Sequence, residues 1–253
     1  MNLGIFFEQN ADGDGAWWQM LASGLGWTLS TAFFAAIIAF FLGSVLGVAR
    51  TTTRPWLVRL GNAYVELFRN VPLIVQFFVW YFVVPGLIPA VKRWVVSLDP
   101  TDHQFVTAVV CLGLFTASRI SEQVRSGIQA LPRGQRNAGY ALGLTEPQTY
   151  RYVLLPMAYR LILPPLTSET MNLIKNTAVA YSIGLTELFF RTREMGELTF
   201  RYFEAFAAAT LVFSLVGHAG WRDPAPWLWP SAMTIVGAAL FGLGLIGWRR
   251  RAH

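Results

Sequence analysis

The sequence predicts an all-α fold, a polytopic transmembrane helical bundle of about five core helices followed by an atypical C-terminal apolar segment. Three observations predict it. Hydrophobic residues make up 54% of the 253 positions and charged residues only 13%, against about 25% charged in a soluble average. The stretch from Ala16 to Ala49 contains no charged side chain at all, which exceeds the ~20 apolar residues a helix needs to cross the hydrocarbon core. The basic residues behind the net charge of +6 are scattered between apolar runs, so they read as loop anchors rather than as a nucleic-acid stripe.

The run from Ala16 to Ala49 is the first span. The residues before it hold Glu8, Asp12 and Asp14 and no Lys or Arg, which is the reverse of a secretory leader and places the amino terminus outside. Residues 1–22 are read as an external N-terminal segment. The loop from Arg50 to Arg59 carries three arginines and is predicted to be cytoplasmic. A second uncharged run, Val71 to Val91, contains Pro72, Pro85 and Pro89. It predicts a kinked span ending around Val84, then an external loop reaching His103.

A third span begins near Gln104 and meets Arg119, Glu122 and Arg125 before it is long enough to cross, so it continues as a polar helix. Their i, i+3, i+6 spacing predicts mutual pairing along one face. Arg133, Arg136 and Arg151 assign the following loop to the cytoplasm. The fourth span, Leu161 to about Leu185, contains Glu169 and Lys175, which are expected to face the protein interior or a watery path. Six residues of helix turn through roughly 600°, so the two are not expected to pair. A fifth apolar stretch covers Ala205 to Val216.

Function is carried by one long motif. Glu122 to Gln135 is followed by Asn137-Ala138-Gly139, by Gly143, and then by Val153-Leu154-Leu155-Pro156. This pattern resembles the coupling loop of bacterial ABC importer permeases of type I, spanning about residues 126–157. In that family a short cytoplasmic helix, here about Arg136 to Leu142, docks on the ATP-binding subunit, and a glycine lets the chain turn sharply. The resemblance assigns ATPase coupling to Gly134, Gln135, Asn137, Ala138, Gly139, Gly143 and Pro156. Asn137 suits the lead of a short helix, Ala138 and Gly139 a small docking face, and Pro156 a restart at the membrane. The sequence departs from the family at Asn137, where Glu is usual, at Gly139, where Ala is usual, and at Val153, where Ile is usual.

Two further segments resemble the polar-amino-acid branch: Glu66 to Phe78, and Asn172-Leu173-Ile174-Lys175-Asn176-Thr177, where Ala178 replaces a usual serine. Phe115 to Arg125 and Gln148 to Pro156 look most like glutamate/aspartate permease subunits. Residues 23–216 are thereby read as the permease domain of a multi-pass protein of the bacterial inner membrane. The resemblance implies two ATP-binding cassette ATPase subunits, a second permease subunit, identical or homologous, and a periplasmic substrate-binding protein. ATP is then bound by the partner, with no cofactor on this chain. For the substrate path the candidates are Arg119, Asn172, Lys175 and Thr177. Arg119 suits a bidentate grip on a carboxylate or a permanent pair with Glu122, and Asn172 suits a ligand or an interhelical bond.

Other classes are disfavoured. There is no Gly-x-x-x-x-Gly-Lys-Ser/Thr loop to bind ATP, and His103, His218 and His253 lie far apart in sequence without metal-ligand spacing. Cys111, the one cysteine, sits in an apolar run and is expected to pack. The competing class is a secondary transporter driven by an ion gradient, which has no need for a docking helix. After Val216, Gly217 to Pro226 is rich in helix breakers and Trp227 to Trp248 forms a new apolar run closed by three arginines. Residues 217–253 thus form a divergent tail for which a sorting signal, a frameshift and a fusion all remain open.

Overall fold

The computed structural model describes residues 3–10, 13 and 15–222, and within them all regular structure is helical. Eleven α-helices are described in chain order: α1 Trp17–Ala49, α2 Pro55–Asn70, α3 Leu73–Phe78, α4 Val84–Leu87, α5 Pro89–Val96, α6 Pro100–Gln129, α7 Arg133–Ala141, α8 Glu146–Thr149, α9 Leu155–Asn176, α10 Leu188–Thr199 and α11 Tyr202–Arg222. Wider π turns at Val79–Val83 and Tyr150–Leu154 and a 3-10 segment at Thr177–Ile183 continue α3, α8 and α9. By length and composition α1 and α6 each suffice to cross a membrane, and a third candidate span is broken between α2 and α3. The segments expected as the fourth and fifth spans fall on α9 and α11, neither of which is among the helices that suffice by length and composition.

Several boundaries correct the sequence expectations. The charged loop after α1 is only 50–54, because Pro55 opens α2 at a position that tolerates a missing amide hydrogen. The expected loop before His103 holds α5, and α6 starts at Pro100, ahead of Gln104. The helix through the fourth span starts at Leu155 rather than Leu161. α10 is an addition to the expected elements: its signal is Glu187, whose carboxylate caps the helix by accepting from the Phe189 and Phe190 amides at 2.8 Å each. α11 runs on to Arg222, through the first part of the stretch predicted to interrupt it. The rest of the divergent tail lies outside the described residues.

The chain forms two compact units. One comprises the chain up to Ile37, Val71–Gly113 and Thr170–Gly220; the other comprises Ile38–Asn70 and Leu114–Glu169. In the first, Ala35, Phe77, Ala108, Cys111, Leu112 and Leu185 are fully buried together, so Cys111 packs as expected. α10 is seated on α1 through Thr28, whose hydroxyl lies 3.4 Å from Glu187 Oε2 and accepts from the Leu188 amide at 3.1 Å.

In the second unit the core is two stripes at helical spacing, Ile120, Val124 and Ile128 on α6 against Leu154, Ala158, Ile162 and Leu166 leading into and along α9. The end of α1 approaches α6 closely through Gly43 and Gly47. A Cβ on Gly43 would lie 2.8 Å from the Ala117 carbonyl, and one on Gly47 would lie 2.6 Å from Val124 Cβ. This Gly-x-x-x-Gly spacing is a known signature of close helix packing in lipid, and it is a further sequence signal beyond the apolar run that defines α1.

Candidate functional site

The motif predicted to couple the chain to an ATPase folds as one local assembly in the second unit. Its helix, α7, begins directly after Pro132, whose φ of −55° and ψ of 135° set up the first turn. It therefore starts three residues before the expected Arg136 and ends one residue short of Leu142. Asn137 lies inside the helix and caps nothing, which corrects its predicted role. Leu142 is the C-cap, and Gly143 follows with φ +79°. The Gly143 amide donates to the Tyr140 carbonyl at 2.9 Å and the Leu144 amide to the Gly139 carbonyl at 3.1 Å, the paired closure that requires a left-handed residue at this position. The sharp turn predicted at Gly143 is present.

The chain then re-enters helix at Thr145, whose amide donates to Gln148 Oε1 at 2.8 Å. Pro156 falls in the first turn of α9, immediately after the π turn Tyr150–Leu154, so it sits within a continuing helical run rather than restarting one. Gly139 is buried, and a Cβ there would meet Thr149 Cγ2 at 2.7 Å. The departure from the family's alanine at Gly139 is thus matched by the bulk of Thr149. Gly134 and Ala138 are exposed, as are Asn137, Tyr140 and Leu142, leaving an open helical face with Leu142 80% exposed. Gln135 is half-buried.

Tyr150 stands at the centre of this assembly. Its hydroxyl donates to the Thr51 carbonyl at 2.6 Å and accepts from Arg136 Nη2 at 3.0 Å, with the guanidinium 5.4 Å over the ring. Burial pushes the phenol up from its ordinary pKa, against smaller opposing effects of Thr51 and Arg136, so it stays a donor at neutral pH.

A second cluster is built on Arg50 at the end of α1. Its side chain is 4% exposed. It donates to Glu122 Oε2 at 2.6 Å, to Ser121 Oγ at 3.3 Å and to Asn62 Oδ1 at 2.8 Å. Arg125 reaches the other Glu122 oxygen at 3.4 Å. The predicted Glu122–Arg125 pair is therefore present, but Arg119 is not part of it.

Arg119 instead pairs with Glu169 at 3.0 Å, the guanidinium lying 5.4 Å from the centre of the Phe115 ring. Gln123 donates to the other Glu169 oxygen at 3.4 Å. Glu169 is buried, as its position in an apolar span required, and it does not pair with Lys175. Asn172, Lys175 and Thr177 belong to the first unit. Asn172 is half-buried and Lys175 exposed. Thr177 is fully buried and its hydroxyl donates to the Ile174 carbonyl at 2.7 Å, a helix-end role. Among the described residues no three His, Cys, Asp or Glu side chains gather to hold a metal.

The family model described as "Binding-protein-dependent transport system inner membrane component" matches residues 39–221. The chain is 49% identical over 217 residues to the glutamate/aspartate import permease protein GltJ of Escherichia coli strain K12, covering 85% of this chain and 88% of that one. It is 33% identical over 178 residues to the glutamate/aspartate import permease protein GltK of Escherichia coli O157:H7, covering 70% and 78%. Among solved structures it resembles a crystal structure of an amino acid ABC transporter with histidines, at a TM-score of 0.68 and 25% identity over 81% of this chain and 90% of that one. It also shares the fold of the MetNI methionine ABC transporter, at a TM-score of 0.64 and 22% identity over 88% and 97%.

Proposed function

The chain belongs to the family of binding-protein-dependent transport system inner membrane components and is a permease subunit of an ABC importer, from which we propose that it carries glutamate or aspartate into a bacterial cell. The observation that carries the substrate is the 49% identity to a glutamate/aspartate permease over 85% of the chain.

We infer a multi-pass inner-membrane topology with the amino terminus outside and the loop bearing α7 in the cytoplasm, on the arginine content of that loop. A helix with an exposed face, closed by a left-handed glycine, suits docking in a groove of an ATP-binding cassette subunit. The coupling role then rests on Gly143 for the turn, Gly139 for close packing on Thr149, and Gly134, Asn137 and Ala138 for the outward face. Gln135, half-buried on α7, and Pro156, in the first turn of α9, complete the set. With no phosphate-binding loop in the sequence, ATP binding and hydrolysis fall to the partner, and this chain takes no cofactor. A second permease subunit and a periplasmic binding protein complete the assembly.

For the path itself Arg119 is the residue suited to an acidic substrate, since guanidinium grips carboxylate in a planar fork. Its side chain is 43% exposed although paired with Glu169, so a substrate carboxylate can compete for it. Asn172 and Lys175 are the accessible candidates of the other unit, with Thr177 holding the backbone behind them. Uptake of labelled glutamate, aspartate, glutamine and arginine by the reconstituted complex tests the reading. Preference for the two acids is expected, and equal or better uptake of arginine contradicts it.

A further inference from the structure

We propose that the Tyr150 hydroxyl is a latch that ties the docking helix α7 to the α1–α2 loop, making Tyr150 a positioning residue for coupled transport. The proposal rests on the reading of α7 as the ATPase-docking helix, and it adds the element through which that helix acts on the rest of the chain.

Three structural elements meet on this one side chain. Arg136 of α7 donates to the hydroxyl at 3.0 Å, and the hydroxyl in turn donates to the Thr51 carbonyl at 2.6 Å and lies 3.2 Å from Thr51 Oγ1. Tyr150 is 5% exposed and packs in the cluster formed by Ile120, Val124 and Leu154. Thr51 follows Arg50, whose buried guanidinium is fixed to Glu122 and Ser121 of α6 and to Asn62 of α2. A displacement of α7 that preserves these contacts has to carry the α1–α2 loop with it. Without the hydroxyl, the coupling segment still reaches that loop through the exposed Thr53 hydroxyl, at a longer 3.4 Å from both oxygens of Glu146 in α8, a contact made to α8 and not to α7.

The ring alone does not account for the residue. A phenylalanine would fill the same space, and a buried hydroxyl is costly unless it is paired. Tyr150 also opens the π turn Tyr150–Leu154, a local widening that in helices often marks a working position. The hydrogen bonds of the Tyr150 hydroxyl run to Thr51 and Arg136 and not to Arg119, so its effect is expected on coupling and not on substrate choice.

The test uses the complete complex, with ATPase and binding protein, in vesicles. Tyr150→Phe keeps the ring and removes the hydroxyl, and the quantity read is substrate imported per ATP hydrolysed at matched amounts of assembled complex. A purely structural role would change the amount assembled but not this ratio. The ratio is expected to fall about five-fold, the scale of one buried hydrogen bond lost. Arg136→Gln is expected to lower it in the same direction, and it decides the matter if Tyr150→Phe does not assemble. An unchanged ratio overturns the latch. Leu142→Cys, on the exposed face of α7, separates this from failure of the docking reading. Cross-linking to the ATPase together with an unchanged ratio refutes the latch alone, whereas no cross-link refutes the docking helix and the latch with it.

Discussion

Arg119 Nη1 lies 3.0 Å from Glu169 Oε1, joining α6 to α9 across fifty residues of sequence. The pair puts a cation that is partly accessible beside a carboxylate that is not. Removing Arg119 alone leaves Glu169 with the Gln123 amide as its one hydrogen-bond partner among the described residues. Breaking a buried pair from one side typically costs ~3–5 kcal/mol, and the exposure of Arg119 discounts that to about 1–2 kcal/mol here.

The first prediction follows from that asymmetry. Arg119→Gln should lower the melting temperature of the assembled complex, and Arg119→Gln with Glu169→Gln should recover it, because both charges leave together. Uptake by the double variant then reports on substrate contact without the burden of instability. Loss of acidic amino-acid import with assembly intact is expected. Normal import by the double variant would remove Arg119 from the path.

Gly143 gives a prediction that depends on backbone alone. With φ at +79° and open space within 4 Å of where a Cβ would stand, the strain of a side chain comes from the left-handed conformation itself, about 1–2 kcal/mol. Gly143→Val should depress both substrate-stimulated ATP hydrolysis and import, while Gly143→Asn, which tolerates this region, should retain most of both. Equal activity of the two variants would show that the turn is not under backbone constraint.

At Gly139 the constraint is steric. Gly139→Ala drives a methyl against Thr149 Cγ2, an overpacking that costs about 1–3 kcal/mol and is read as a lower melting temperature of the complex. Thr149→Ala should restore it. Its own cost is small, because Thr149 Oγ1 is buried with no hydrogen-bond partner among the described residues. A double variant no more stable than Gly139→Ala would place the clash elsewhere.

Arg50 carries the fourth prediction. Its methylene groups occupy the space a Cβ on Gly61 would need, and its guanidinium holds Glu122, so Arg50→Met should cost about 3 kcal/mol even with Arg125 left to compensate. Arg50→Lys should recover only part of this, since one ammonium cannot serve Asn62, Ser121 and Glu122 in the same planar arrangement. Thermal denaturation of the purified complex checks both.

What the sequence reveals is largely local. An unbroken uncharged run defines α1, and a glycine after a short helix implies the left-handed turn at Gly143, because backbone sterics act on one residue at a time. The pairing of Glu122 with Arg125 is legible for the same reason, at a spacing of one helical turn. The partners of Arg50 and Arg119 are not, since Glu122 and Glu169 lie on other helices and only the packed fold brings them near. Asn137 reads as a helix lead from its residue type, but Pro132 starts α7 earlier and leaves Asn137 on the exposed face. α10 is hidden because its cap, Glu187, reads in sequence as one more charge after a span. The Gly43–Gly47 spacing is written in the sequence itself, whereas the Tyr150 contacts depend on Thr51 and Arg136 meeting in space.

Accumulation of labelled glutamate in proteoliposomes tests the central claim most directly, with this chain, its second permease subunit, the ATPase and the binding protein all present. Import should require ATP on the side of the docking helix and cease when the ATPase subunit is omitted, with or without a sodium or proton gradient. Glutamate accumulation by the permease alone, driven by an ion gradient in the absence of ATP, would contradict the account.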